Sequence, residues 1–215
     1  MSDWVKYFEK TEGRNIFHQC ISKRRLIELI VENTPKGGRI LEVGCGTALL
    51  SVILATLNFE VTASDLTQDV LDYARSKVSF NNIKLNFAIV DMLSLSSVYE
   101  KHHFDTICHS GVMEHFSDTD VIKSLSEQRI ISKRVIFSVP NNRTEKLPSL
   151  FVDERLLGNK KWIQLIRASG FGSIKVFGDQ DLPIIFYFIL PNVFFTKRGS
   201  FWWKWFSGHS IFVCE

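Results

Sequence analysis

Two glycines and two aspartates carry the first chemistry that can be read. Gly44 and Gly46 flank Cys45 at the end of a short apolar run, Ile40, Leu41 and Val43. An apolar stretch over 48–57, too long for a strand, follows. The pattern predicts strand, tight turn and helix. Residues without a Cβ accept φ > 0 and let a ligand lie against bare backbone. The helix behind them aims free N–H groups and its positive dipole end at the same place, which suits a nucleotide-like ligand with an anionic group. Asp65 closes a second alternating run, 59–65, and stands 21 residues after Gly44. At that distance a carboxylate meets ribose hydroxyls. Asp91 closes a third run, 85–91, where it can accept from an adenine amino group, with Leu66 and Met92 packing on the base faces. Either aspartate alone reads as a loop residue or helix cap. As a pair closing successive strands of a βαβαβ series, they point to a nucleoside site.

The elements that must position these residues alternate along the chain. Thr67 caps a helix running to about Ser79, with Val70, Leu71, Ala74 and Val78 on one face. A polar loop over 92–103 precedes a fourth strand, 104–109. Ser117 opens another helix with Asp120 in capping-box position. A fifth strand over 133–139 ends at Pro140, a helix over 153–169 stops at Gly170, and a sixth strand spans 173–177. A last strand, 210–215, closes the chain. Of the 215 residues, 45% are hydrophobic, which excludes a disordered chain and fits one domain over 1–215 with a substantial core. The net charge of +3 is too mild for a nucleic-acid partner. Cys20, Cys45, Cys108 and Cys214 form no CxxC pair and read as reduced thiols of a cytoplasmic protein, with no metal site expected. The charged N-terminus lacks the apolar core of a signal peptide.

LEVGCGT at the first strand and turn, ASD at the second strand and VD after the third resemble the class I S-adenosylmethionine (SAM)-dependent methyltransferases. FDTICHSGVMEHF and VIFSVPN continue the resemblance over the fourth and fifth strands, so that it covers roughly 40–177 and the last strand. Glu42, two residues before the first glycine, also looks like this family, whereas Leu49 breaks the GxGxxG of NAD-binding turns. Ala48 stands where many members carry a third glycine; a small residue there implies narrower clearance. The resemblance implies a Rossmann-like, doubly wound seven-stranded sheet, mostly parallel with an antiparallel last strand and helices on both faces. It implies SAM as cofactor, bound by Glu42, Gly44, Cys45, Gly46, Asp65, Leu66, Asp91, Met92 and His109.

Ligands in such sheets sit beyond the carboxyl ends of the strands, so the turn after strand four, 109–115, faces the reacting methyl. The resemblance implies that this turn gives backbone contacts to the methionine part, for which His109 and Ser110 are positioned, and side chains to the acceptor, for which Glu114 and His115 are positioned. Histidine titrates near neutral pH, so His115 is the candidate general base; Glu114 either orients it or binds a cationic acceptor. His115 reads equally as a helix-start residue bonded locally. The Asn/Asp-Pro-Pro-Tyr/Phe segment of DNA-amino methyltransferases is missing, as are the Pro-Cys nucleophile and the GxSxG elbow of hydrolases. The remaining reading is an enzyme methylating an oxygen or nitrogen of a small molecule, with apolar or lipid-like acceptors included. The alternative is a non-catalytic SAM-binding subunit that docks a partner or membrane.

Two segments carry less motif information. Residues 1–38 predict one or two helices, preceded by Trp4, Tyr7 and Phe8. These aromatics read either as a lid over cofactor and substrate, with Trp4 and Tyr7 touching the acceptor, or as packing onto the sheet. Residues 179–209 form an insertion before the last strand. Its apolar run is interrupted by Pro183 and Pro191 and is too short to span a bilayer. Lys197, Arg198 and Lys204 then alternate with Phe201, Trp202, Trp203, Trp205 and Phe206. An accessory helix, a substrate wall, peripheral membrane contact and a partner-protein surface through 182–206 all remain open readings. Oligomeric state is not legible.

Overall fold

A computed structural model describes residues 2–11, 20, 22–78, 83–142, 154–178 and 208–215. Seven strands form one sheet in the order β3-β2-β1-β4-β5-β7-β6. They are β1 (Arg39–Val43), β2 (Glu60–Asp65), β3 (Asn86–Ile89), β4 (Thr106–Ser110), β5 (Val135–Pro140), β6 (Ile174–Gly178) and β7 (His209–Cys214). β1 to β5 pair in parallel, and β7 runs antiparallel between β5 and β6. The order reverses between β1 and β4, so the crevice for a ligand opens at their carboxyl ends.

Alternation along each strand divides the core. Ile40, Val61, Cys108, Ile136 and Ile211 face α2 (Arg24–Asn33) and α3 (Leu49–Thr56) through Leu26, Leu29, Ile30, Leu50 and Leu54. Leu41, Ile107, Phe137 and Phe212 face α5 (Asp118–Ile131) and α6 (Asn159–Ala168) through Val121, Leu125, Trp162 and Ile166. α4 (Gln68–Val78) covers Ala63 with Leu71 and Ala74. The expected doubly wound fold with helices on both faces is therefore present.

Several boundaries differ from the sequence reading. Trp4, Tyr7 and Phe8 do not precede the first helix but lie on it, in α1 (Asp3–Thr11). α6 begins at Asn159 rather than 153, because Leu157 bridges to Asn141 and Gly158 stands in extended backbone at the cap. The Ser117 hydroxyl accepts from the Asp120 N–H at 3.2 Å and opens α5 as the capping pattern predicts. Ala48 does not simply begin a helix: its φ is 57°, left-handed backbone that costs a residue with a Cβ ~1 kcal/mol. The insertion over 179–207, with every reading placed on it, lies outside the described residues. No helix among the described residues is long and apolar enough to cross a membrane.

Candidate functional site

The glycine turn leaves β1 with Gly44 at φ 65° and Gly46 at φ 52°, backbone that favours glycine. Their bare faces, expected to lie open to a ligand, are filled by protein instead. A Cβ on Gly44 would come within 2.8 Å of a Val112 methyl, and one on Gly46 within 2.8 Å of the Phe8 ring. Neither glycine thus leaves an open Cα face. The Cys45 N–H donates to the Ser64 carbonyl at 2.9 Å. Its thiol is buried against Ala48, Ala63, Leu71 and Ala74, where burial pushes its pKa up. Cys45 therefore brings no side chain to the site, and its N–H and carbonyl pair with Ser64 and Ala48.

Asp65 closes β2 beside this turn. One carboxylate oxygen accepts from the Gly46 N–H at 3.4 Å and the other from the Leu66 N–H at 2.8 Å. Burial raises its pKa, against the pull of these donors. Asp91 is exposed, and its Oδ1 accepts from the Leu93 N–H at 2.8 Å. Met92 does not flank a base: it is only 6% exposed and packs in the core. The strand ends at Ile89, and Ile89 pairs with Asp65 in register. Ile89 at 53% and Leu66 at 63% exposure are the two apolar side chains left uncovered beside the acids. A planar base has Leu66 and Ile89 for its faces. Ile89, the outward residue at the strand end, was missed.

Glu42 lies beneath the turn, 4% exposed. Its Oε2 accepts from the Ser51 N–H at 2.9 Å and from the Ser51 hydroxyl, tying β1 to α3. Burial pushes its pKa up to about 7, against Ser51 and the Lys23 charge. Glu42 thus holds the turn in place from below. Lys23, at the start of α2, donates from Nζ to Ser110 Oγ at 2.9 Å at the carboxyl end of β4. An ammonium therefore stands at the switch point of the sheet. Sequence reading passed over it because it sits in the run Lys23-Arg24-Arg25.

His109 keeps its side chain out of the crevice. Its ring is fully buried, stacked on Phe137 at 4.8 Å and 19°, and burial lowers its pKa to about 3. Alternation along β4 turns Ser110 to the α2 face and His109 to the α5 face, so only its backbone reaches the crevice. Glu114 is 3% exposed, with Oε1 turned toward Gly111, and its carbonyl accepts from the Arg155 N–H at 3.0 Å. Its side chain is buried in the wall of the crevice. His115 is half-buried on the short 3-10 turn Met113–His115 and meets Trp4 edge-to-face at 5.5 Å. Trp4 also contacts Tyr7 at 6.1 Å and Phe8 at 6.0 Å, and Phe8 stacks over Tyr73 at 6.0 Å. Phe8 was read only as one of the lid aromatics and Tyr73 was not singled out; the two lie 65 residues apart in sequence.

These residues fit SAM. Asp65 and Asp91 could accept from ribose hydroxyls and an adenine amine, Leu66 and Ile89 could supply apolar faces, and Lys23 could supply a cation for the methionine carboxylate. Among the described residues, no group of three or more His, Cys, Asp or Glu is arranged to hold a metal ion.

A doubly wound sheet with a nucleoside site at its switch point and an antiparallel closing strand is the fold of the class I SAM-dependent methyltransferases. Residues 40–133 of the chain match the family described as methyltransferase domain. A ubiquinone biosynthesis O-methyltransferase of Sinorhizobium fredii is 27% identical over 139 residues, covering 61% of this chain and 55% of the relative. The chain thus spans about half the length of the curated relatives it matches. Among solved structures, a SAM-dependent methyltransferase from Archaeoglobus fulgidus superposes with a TM-score of 0.66 at 14% identity, covering 99% of both chains. Magnesium protoporphyrin IX methyltransferase from Synechocystis, solved with bound S-adenosylhomocysteine (SAH), gives 0.62 at 16% identity over 92% of this chain and 82% of that one.

Proposed function

We propose that the protein methylates a hydroxyl oxygen of a small, apolar acceptor, using SAM as donor. The observation that carries this reading is one juxtaposition. The Asp65-bound glycine turn and His115 lie under the same helix, α1, at the carboxyl ends of β1 and β4. When bound, SAM supplies a methyl group on a sulfonium sulfur that needs no further activation and departs as SAH. Asp65 and Asp91 orient the nucleoside, and Lys23 holds the carboxylate end, which fixes where the methyl points. His115 takes the hydroxyl proton on a ring nitrogen as the acceptor oxygen forms its bond to the methyl carbon. Trp4 and Tyr7 form the apolar wall against which the acceptor lies, with α1 as lid. The O-methyltransferase named among the relatives supports oxygen over nitrogen.

The test is transfer of tritium from methyl-labelled SAM to catechol and, separately, to octylamine. The reading predicts label on catechol, with the rate falling at least ~100-fold in His115→Ala. It also predicts that Lys23→Gln weakens SAH binding by ~10-fold or more, as for a lost charged hydrogen bond. Label on octylamine alone, untouched by His115→Ala, contradicts the oxygen reading. SAH binding with no transfer to either probe favours a non-catalytic SAM-binding subunit.

A further inference from the structure

We infer that Trp4 is a positioning residue for His115, and that Phe8 ties it to the cofactor-binding turn, so that the base is set in place only when the donor site is closed. The inference rests on the reading of His115 as base.

Trp4, Tyr7 and Phe8 occupy positions i, i+3 and i+4 of α1 and share one face of it. The helix is held at its start by the Ser2 N–H on the Asp69 carboxylate, in the first turn of α4. Trp4, Phe8 and Tyr73 then make a row of nearly parallel rings, inclined by 28° and 23°. One end of the row is Tyr73 on α4, the helix that follows Asp65 and Leu66. Its middle, Phe8, covers Gly46, whose N–H is held by Asp65. Its other end is Trp4, which meets the His115 imidazole at 83°. The row therefore runs without a break from the ribose-binding loop to the proposed base.

His115 ends a 3-10 turn of only three residues, an element with little power to fix a side chain. An edge-to-face ring contact biases a rotamer about 2- to 12-fold. That bias reaches His115 only while α1 is docked, and α1 is docked through Phe8 and Ser2 on the cofactor side. A ligand against Asp65 and Gly46 thus orders the imidazole from across the crevice.

The experiment follows the ring nitrogens of His115 by NMR in the nitrogen-15-labelled full chain, with SAH as probe. Among the chain's six histidines, His115→Gln assigns the signal. In the unaltered protein, SAH shifts the His115 ring signals. In Trp4→Ala, SAH still binds within about threefold, while the His115 signals no longer respond; Trp4→Phe restores the response. Phe8→Ala loses it too, although Phe8 is not the ring that meets His115. A full response in Trp4→Ala overturns the inference. So does a loss of SAH affinity in Trp4→Ala beyond about tenfold, which makes α1 a cofactor wall and nothing more. Failure of the unaltered chain to bind SAH would instead remove the methyl-transfer reading on which the inference stands.

Discussion

Replacing Glu42 with Gln should stabilise the protein in alkaline solution and do little in acid. The carboxyl is 4% exposed and accepts two hydrogen bonds from Ser51, both of which a glutamine oxygen can keep. Burial raises its pKa, the Ser51 bonds and the Lys23 charge oppose this, Asp65 adds to it, and the balance lies at about 7 against an ordinary 4.5. A raised acid favours its protonated form in the fold. That stability is fully present below 4.5 and is lost as pH rises through about 7. At pH 8.5 the ionised group costs the fold ~3 kcal/mol, from about 1.4 kcal/mol per pH unit of displacement. Urea unfolding of wild type and Glu42→Gln at pH 5 and pH 8.5 measures the difference. Taking the variant's gain at one pH from its gain at the other cancels every other titrating group. The expected difference is ~1–3 kcal/mol in favour of the variant at pH 8.5. A variant equally affected at both values, or relatively weaker at pH 8.5, would refute the reasoning.

Gly46→Ala should cost ~1–3 kcal/mol, since its φ of 52° disfavours a Cβ and that Cβ would meet Phe8. In the double variant Gly46→Ala/Phe8→Ala the two costs should not add, and additive unfolding free energies would mean the contact is absent. His109→Phe should move acid unfolding to lower pH. The buried imidazole has its pKa lowered from 6.5 to about 3, so stability is full above 6.5 and falls as pH drops from there toward 3. Phenylalanine keeps the stack on Phe137 and removes the titration. A variant whose fluorescence-monitored acid midpoint rises or stays put contradicts this account.

The local parts of the site were legible in sequence. Strand, glycine turn and helix are set by neighbours in the chain, so the turn at Gly44 and Gly46 and the strand end at Asp65 followed from periodicity and spacing, while the sheet's class came from the family resemblance. What was missed depends on parity or on distance. The backbone role read for His109 and Ser110 left their side chains unplaced, and alternation along β4 turns Ser110 to the α2 face and His109 to the α5 face. Met92 was chosen over Ile89 because the third strand was read through to Asp91, whereas pairing stops at Ile89. Lys23 could not be singled out, because its partner Ser110 is 87 residues away. Phe8 and Tyr73 meet only once α1 folds back over α4. Apolar periodicity placed a helix start at 153, and only the bridge from Leu157 to Asn141 explains why it begins later.

The central claim is that the turn at Gly44–Gly46 and Asp65 hold SAM, and calorimetric titration of SAH into wild type and Asp65→Ala tests it most directly. The account predicts micromolar binding to the wild type, weakened at least ~10-fold in a variant that remains folded, as expected for the loss of a charged hydrogen-bond acceptor. Equal affinity in the two proteins would place the cofactor elsewhere, and no binding to folded wild type would contradict the account as a whole.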